Sequence, residues 1–558
     1  MEEEKASTGP KRILLLTNSE HGQANVFLAT SYALLTLQNE DVEVHFASFP
    51  RIRSSVLATS EHVQRDRPGA RPIVFHTVDG KDMVSAWTRP EIVAEQRALN
   101  KHSVVPFVDV VRRTLVLLKV TLPWTGPEFV QIMRSVAGIV EEVQPDITTV
   151  DPAFAPALTV LRHLGVKSVI LTPNTIKDFA MPLQPNAEPL WKYPSHGTAH
   201  MFPLPWRAIP LNVLLIVLSL IVTIIDPHRR ALAAYLTANY HRDTKLTTLA
   251  TLTLNPLAMQ RAGVRLLVAN TPEIEFPLTV ARPSHILPCG PILRPVARPL
   301  IEADPDLATW LAGGPVVYIN LGTHVFYDAA AAAEMAGALR WLLAVYKKEL
   351  AKSKEKRGGL RVLWKVPRRG VEVEAGWKKV DGVFGPGGVV ERLLGDEVRD
   401  GVIRIVEWLE PEPTAVLEAG TVVCAVHHGG ANSFLEAVSA GIPQVVLPLW
   451  MDTYDFARRA EILGIGRWGN RGAGKICKSN QLGEILTDVV VGERSTVYAA
   501  KAKELAELCK KSGGGRVIAA RHILAALEDG RSQSPSTAGD EKESDSLLDG
   551  GSNGHVPR

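Results

Sequence analysis

The chain has 558 residues, of which 46% are hydrophobic and 22% charged, and its formal net charge is +3. This composition is ordinary for a globular protein, and the length predicts more than one domain with its own core. Because no basic patch or stripe stands out, nucleic acid is excluded as the expected partner. The four cysteines form no Cys-x-x-Cys pair and the first residues show no secretory pattern, which together predict buried free thiols and a cytoplasmic location.

Three segments differ from the rest. Residues 1–11 and 529–558 are polar and poor in apolar side chains, so both are predicted to be disordered. Residues 211–225 carry no charge, but they are short for a membrane-spanning helix, which needs about 20 residues. Two interpretations stay open: a helix in the core or on a membrane surface, which the length favours, and a true span.

In the first half, short apolar runs alternate with helical patterns. Strands are predicted at 13–16, 42–48, 73–78, 147–150 and 167–171, and helices at 25–37, 104–120 and 126–143. Such alternation predicts a parallel sheet with helices on both faces.

The pattern then starts again in the second half. Strands are predicted at 315–320, 361–366, 403–408, 422–426 and 444–447, with a long helix at 329–350. The prolines between residues 288 and 305 indicate a linker, so we place one domain at 12–300 and the other at 301–528. Ligands of open α/β sheets bind beyond the carboxyl ends of the strands, and two such domains would enclose a cleft.

The most informative turn in the second half reads Val-His-His-Gly-Gly-Ala-Asn-Ser-Phe-Leu-Glu over residues 426–436. An apolar strand ends at the histidines, and a helix begins near Asn432. Glycines allow the backbone to approach a ligand, and free N–H groups at a helix start suit a phosphate. Taken alone, the same turn also fits a capped helix with a surface glutamate.

The wider spacing is more specific. Trp408 precedes the turn, 441–443 reads Gly-Ile-Pro, and 448–457 reads Pro-Leu-Trp-Met-Asp-Thr-Tyr-Asp-Phe-Ala. This order resembles the nucleotide-sugar signature of the family 1 glycosyltransferases, the UDP-glycosyltransferases: Trp, then His-x-Gly-x-Asn-Ser-x-x-Glu, Gly-x-Pro and Pro-x-x-x-Asp-Gln-x-x-x-Ala. The Asp-x-Tyr-Asp run after Trp450 is similar to fungal-type members.

The resemblance implies a role for each matched residue. Trp408 would stack on uracil, His428 would contact the diphosphate and Glu436 would hold the ribose. The residues expected to bind the nucleotide sugar are Thr323, Trp408, Leu409, His428, Gly430, Asn432, Ser433, Glu436, Asp452 and Thr453.

Two departures from the family pattern concern the donor. Thr453 replaces the family's Gln, which leaves the sugar open. The family's Pro-Gln after the Trp is missing from 409–413, and the interval to Leu417 is longer than usual.

In the first half, His21 follows the first predicted strand. A lone histidine at such a turn fits a structural role, but the resemblance makes it the general base that takes a proton from the acceptor hydroxyl. The resemblance also places the base's carboxylate partner at Asp151, after the strand 147–150, whereas Asp146 lies at the other end of that strand. Glu20 stands where the family usually has Gly.

The implied fold is α/β of the GT-B type, with two Rossmann-like, doubly wound parallel-sheet domains facing a cleft. The implied activity is the transfer of a hexose from a UDP-sugar, with UDP-glucose as the expected donor, and with inversion at the anomeric carbon. The acceptor would be a hydroxyl of a small lipophilic molecule such as a terpenoid, sterol, polyketide or lipid. Neither metal nor cofactor is expected, and a membrane contact is expected through 211–225. Two alternatives stay open: a nucleotide-sugar epimerase or hydrolase of the same fold, and a non-catalytic nucleotide-sugar-binding subunit.

Overall fold

The computed structural model describes residues 9–529 with internal gaps. The gaps are 38–40, 94–105, 196, 262, 282, 324, 353–357, 367–382, 385–386, 451, 474–475 and 512. Most of the two ends predicted to be disordered therefore lies outside the described residues. Of the remainder, Lys11 begins the first strand and Asp529 ends the last helix.

The described strands of the first half form a seven-stranded parallel sheet in the order β3-β2-β1-β4-β5-β6-β7. They are β1 (Lys11–Leu16), β2 (Val42–Ser48), β3 (Val74–Thr77), β4 (Ile147–Val150), β5 (Ser168–Thr172), β6 (Leu266–Val268) and β7 (Ile286–Pro288). The central strands β1 and β4 carry runs of four fully buried residues, because helices cover both faces of the sheet.

The helices that follow these strands pack on both faces. They are α1 (His21–Thr36), α2 (Arg53–Asp66), α3 (Met83–Trp87), α4 (Pro106–Thr121), α5 (Gly126–Val143), α6 (Ala155–His163), α7 (Ile176–Ala180), α8 (Glu188–Trp191), α9 (Ile209–Ile225), α10 (Pro227–Asn239), α11 (Leu249–Leu254) and α12 (Pro256–Arg261).

A second parallel sheet, six-stranded among the described residues, has the order β10-β9-β8-β11-β12-β13. Its strands are β8 (Val316–Asn320), β9 (Arg361–Lys365), β10 (Ile403–Val406), β11 (Val422–His427), β12 (Gln444–Val446) and β13 (Gly466–Trp468). The helices of this half are α13 (Leu300–Ala303), α14 (Pro305–Leu311), α15 (Ala329–Lys352), α16 (Val389–Arg399), α17 (Pro413–Leu417), α18 (Ala431–Ala440), α19 (Thr453–Ile462), α20 (Ser479–Val490), α21 (Ser495–Lys510) and α22 (Gly515–Asp529). Two doubly wound parallel-sheet domains confirm the predicted fold class.

The two halves share one apolar core. Leu15 of β1 and Phe27 of α1 belong to the same buried cluster as Phe434 of α18 and Phe456 of α19. The last helix, α22, packs against α1, and the carbonyl of Leu527 accepts a hydrogen bond of 3.4 Å from Lys167. The chain therefore returns to the first sheet after completing the second. The division near residue 300 falls between β7 and β8 and stays a prediction.

Buried ions also join the halves. Lys177 of α7 forms an ion pair with Asp455 of α19, and both side chains are almost completely buried. Asp455 also accepts a hydrogen bond of 2.6 Å from Arg458, whose Nε donates to the carbonyl of His200 at 2.7 Å. The start of α19 is thereby held against the first domain.

Candidate functional site

The turns at the carboxyl ends of the two sheets face each other. Asn432, in the first turn of α18, donates from Nδ2 to the carbonyl oxygen of His21, the first residue of α1, at 3.4 Å. The turn after β1 therefore lies against the turn after β11. The two residue groups that the sequence predicts separately, one in each domain, meet in one cleft.

His21 remains exposed at the start of α1. The protein around the cleft nevertheless desolvates the ring and so lowers its pKa below 6.5, while Glu20 raises the pKa and Arg294 lowers it further. Asn25, one turn along the helix, forms a hydrogen bond with the ring. The imidazole is therefore neutral near pH 7, which is the state that a general base requires.

Asp151 directly follows β4, as predicted. Its carboxylate is fully buried and accepts hydrogen bonds from Ala153 N at 2.8 Å, from Thr17 Oγ1 at 3.2 Å, and from the backbone N and Nδ2 of Asn18 at 3.4 Å. Burial raises its pKa to about 6. Among the described residues, His21 is not one of its partners. The carboxylate therefore braces the turn that carries the histidine, and its role as the partner of His21 stays a prediction.

Arg294 is a site residue that the sequence does not reveal. It belongs to the proline-rich connection and donates to Glu412 Oε1 at 2.8 Å, and Glu412 Oε2 accepts from Ala297 N at 3.0 Å. Its charge lowers the pKa of both His21 and Glu436. No motif marks a linker arginine, so only its position in three dimensions shows that it connects the two halves of the site.

The adjacent histidines after β11 have different environments. His427 is buried, accepts from Gly429 N at 3.1 Å and pairs with Gln444 Oε1 at 2.7 Å. Burial lowers its pKa to about 4, so it is a neutral structural residue. His428 is only half-buried, and its ring centroid lies 5.1 Å from that of Trp450. His428 is therefore the histidine of the pair that borders the cleft.

Two glycines lie close against the ring of His428. A Cβ on Gly430 would lie 2.6 Å from His428 Nε2, and a Cβ on Gly322 would lie 2.9 Å from Cε1. Real Cβ atoms do not approach so closely, so a side chain at either position would displace the imidazole. Gly322 also has φ of +82°, a conformation that favours glycine.

The first turn of α18 is open to a ligand. Its N-cap is Gly430, and no side chain caps this fully described helix start. Asn432 and Ser433 are half-buried there. The unpaired N–H groups and the helix dipole suit a phosphate group. Thr323 is exposed in the turn after β8.

Glu436 lies one turn further into α18 and is half-buried. Burial raises its pKa to about 7, Arg294 lowers it and Glu412 raises it. Without the arginine, a larger fraction of this carboxyl would be protonated at neutral pH and unable to accept hydrogen bonds from two hydroxyls.

Trp408 lies in the loop after β10, because that strand ends at Val406 and not at residue 408 as predicted. The indole is 59% exposed, which leaves ring surface for a stacking partner, and Leu409 beside it is half-buried. The ammonium of Lys365, the last residue of β9, lies 5.5 Å from the centroid of the indole.

The predicted sugar contacts separate into two environments. Asp452 is exposed. Thr453 is fully buried, its hydroxyl accepts from the backbone N–H groups of Leu449 and Trp450 at 3.1 Å, and it donates to the carbonyl of Trp450. The side chain of Thr453 thus stabilises the loop, and its predicted role in holding the sugar stays a prediction.

Comparison with known proteins agrees with this geometry. Residues 394–510 match the family model described as erythromycin biosynthesis protein CIII-like, C-terminal domain. A solved UDP-glucosyltransferase from Polygonum tinctorium, capable of glucosylating indoxyl, superposes with a TM-score of 0.58 at 16% identity, covering 94% of this chain and all of that one. This likeness shows the GT-B fold.

Relatives align along nearly the whole chain. Erythritol-mannosyl-transferase 1 of Mycosarcoma maydis is 23% identical, over 92% of this chain and 91% of its own length. Glycosyltransferase sdnJ of Sordaria araneosa is 32% identical over 529 residues, which is 90% of this chain and 95% of the relative. The chain therefore belongs to the family 1 UDP-glycosyltransferases, enzymes of the GT-B fold.

Proposed function

We propose that this glycosyltransferase moves a hexose, with UDP-glucose as the first candidate donor, to a hydroxyl of a small lipophilic acceptor with inversion at the anomeric carbon. The observation that carries the proposal is the contact between His21 and Asn432. It brings a neutral histidine of one domain to the phosphate-binding helix start of the other.

The chemistry divides between the two domains. His21 takes the proton of the acceptor hydroxyl while the oxygen attacks the anomeric carbon from the face opposite UDP, and the bond from that carbon to the diphosphate oxygen breaks. Glu20, whose charge raises the pKa of the ring, stabilises the imidazolium that forms. His428 and the first turn of α18 stabilise the charge on the departing UDP. We also propose that the transfer reaction needs no metal ion.

The names of two similar proteins suggest which donor sugars to test. The Polygonum tinctorium enzyme is named for glucosyl transfer, and the Mycosarcoma maydis relative for mannosyl transfer. A donor panel should therefore include a mannose donor beside UDP-glucose. Since Thr453 is buried, we propose that Asp452 contacts the sugar hydroxyls. An epimerase or hydrolase would release product from the donor without acceptor, which the same panel detects.

We also propose that α9 contacts a membrane surface. The stretch Trp206–Asn239 contains an apolar helical segment that is long enough, by length and composition only, to cross a membrane. Asp226 divides it into α9 and α10, accepting from His228 N at 3.2 Å. Buried Asn212 fixes α9 to the domain by donating to the carbonyls of Leu190 and Tyr193 at 2.9 and 3.0 Å.

The opposite face of α9 is exposed and apolar. Its exposed residues are Leu214, Val217, Leu220, Ile221, Ile224 and Ile225. At the start of the helix Trp206 is 73% exposed, with the guanidinium of Arg207 5.1 Å from its ring centroid. A tryptophan and a basic residue at the edge of an apolar helix face are typical of membrane-surface helices.

The general base can be tested by His21→Ala. We expect transfer to fall by on the order of 10²–10⁴, because a positioned base contributes about that much, while affinity for UDP stays unchanged. Proton NMR of the wild-type product should show a β-linkage from an α-linked donor. The control is His241→Ala, a change at an exposed histidine outside the cleft. Full activity in His21→Ala, or an α-linked product, would contradict the proposal.

The position of His428 can be tested by Gly430→Ala. The backbone at Gly430 has φ of −67°, so alanine is tolerated there and only the contact with the imidazole changes. We expect affinity for UDP to weaken by about 1–3 kcal/mol, the cost of losing a hydrogen bond to a charged group, measured by calorimetry. Gly359→Ala is the matched control, since a Cβ there meets no atom within 4 Å. Equal affinities of both variants for UDP would show that His428 does not contact the diphosphate.

We expect the charge of Arg294 to influence the pH at which the transfer rate falls on the acid side of the pH profile, its acid limb. The transfer rate at saturating donor is lost as pH falls through the lowered pKa of His21, because the protonated ring cannot act as a base. Removing a nearby positive charge stabilises the imidazolium, so Arg294→Met should move this limb to higher pH, by up to about one unit. Arg65→Met, which alters another linker contact at Ala297, should leave the limb in place. A limb that does not move in Arg294→Met would show that the arginine does not act on the base.

The membrane proposal predicts binding to anionic vesicles that is lost when Ile221 and Ile224 are replaced by serine, since both are exposed on α9. Val497→Ser, at an exposed apolar residue of α21, is the control. Carbonate extraction should release the wild-type chain from membranes. Retention in the pellet would indicate a membrane-spanning helix. Equal vesicle binding by the wild type and the double variant would show that this face of α9 does not contact the membrane.

A further inference from the structure

Among the described residues of the second domain, one buried cation has no anionic partner. The buried Lys and Arg side chains among the described residues are Lys177, Lys365, Arg458 and Arg459. Three of them have a carboxylate within 4.0 Å: Lys177 and Arg458 pair with Asp455, and Arg459 lies 3.7 Å from Glu275. Lys365, only 7% exposed, has no ion pair or hydrogen bond to any described residue.

An unpaired buried ammonium is unfavourable. Removing even part of the water around a charge is unfavourable unless an opposite charge or hydrogen bonds compensate. The desolvation of Lys365 lowers its pKa accordingly. Its described contact with a charged or aromatic group is the one with Trp408, 5.5 Å from the ring centroid, and a cation–π contact offsets only part of this cost. An anion supplied from outside the chain would offset the remainder.

The position of Lys365 identifies which anion that is. It is the last residue of β9, in register with Asn320 of β8 on one side and Val406 of β10 on the other. The chain after Asn320 enters the turn of Gly322 and Thr323, and the chain after Val406 leads to Trp408. Lys365 therefore lies between the proposed phosphate turn and the proposed nucleobase platform.

We propose that Lys365 binds the donor, with its ammonium contacting the phosphate nearest the nucleoside. The inference rests on the proposed function only in taking Trp408 as the uracil platform and the turn after β8 as a phosphate site. A bound nucleoside diphosphate supplies the negative charge that the described residues do not provide near this lysine. Bound donor is then held by a cation from β9 as well as by His428 and α18.

The test compares the affinities of uridine, UMP and UDP for the wild type and for Lys365→Met. Methionine keeps the length and apolar stem of lysine and removes the charge, so the unliganded variant should unfold at the same temperature as the wild type or higher. We expect UMP and UDP to bind about 10- to 100-fold more weakly, the usual effect of losing a charged hydrogen bond, and uridine to change less than about twofold. Lys365→Arg should recover most of the loss, and Lys348→Met, on the exposed surface of α15, should show none.

Each other outcome has a distinct meaning. Unchanged affinity for UMP and UDP in Lys365→Met, with the wild type binding UDP, overturns the inference and leaves the proposed function standing. An equal loss for uridine overturns the phosphate contact, since the lysine would then act on the nucleobase pocket. Failure of the wild type to bind UDP overturns both the proposed function and the inference.

Discussion

The site depends on a buried contact that holds the carboxyl ends of the two sheets toward each other. Lys177 and Asp455 come from different domains and have almost no exposure to water, so Lys177 without Asp455 would be an uncompensated buried charge. Because the pair is satisfied only when α7 lies against α19, it favours one relative position of the domains over others. The carbonyl of His200, which accepts from Arg458, fixes the same helix to a second segment of the first domain.

Arg459 shows how the contact combines charge with apolar packing. Its guanidinium lies 4.0 Å from the ring centroid of Phe456 and 5.2 Å from that of Phe434, with the carboxylate of Glu275 3.7 Å away. The two aromatic rings also belong to the apolar cluster that continues into the first sheet. The start of α19, which bears Asp452, is therefore positioned by the interface itself, and the donor sugar would be held at a fixed distance from the base.

The sequence predicted those parts of the fold and site that local patterns determine. Apolar runs located β1 to β5 and β8 to β12, but not β6, β7 and β13, since strands of three residues beside turns give no distinct signal. Motif spacing located His428 and the start of α18. It did not predict the hydrogen-bond partners of Asp151 and Thr453, because a side chain's partner depends on its orientation and on neighbours distant in sequence. The buried Lys365 could have been suspected as a lysine that ends an apolar predicted strand.

Arg294 influences the protonation of one group in each half of the site, His21 and Glu436. A base needs a neutral imidazole, and a ribose-binding carboxylate needs to be ionised, so both groups must be deprotonated near pH 7. One positive charge between them favours both states, since it disfavours a second cation on His21 and favours the anion on Glu436. Glu412 anchors this arginine, so the unusual loop after Trp408 and the linker form one unit. The linker is thus an electrostatic component of the site as well as a connection between the domains.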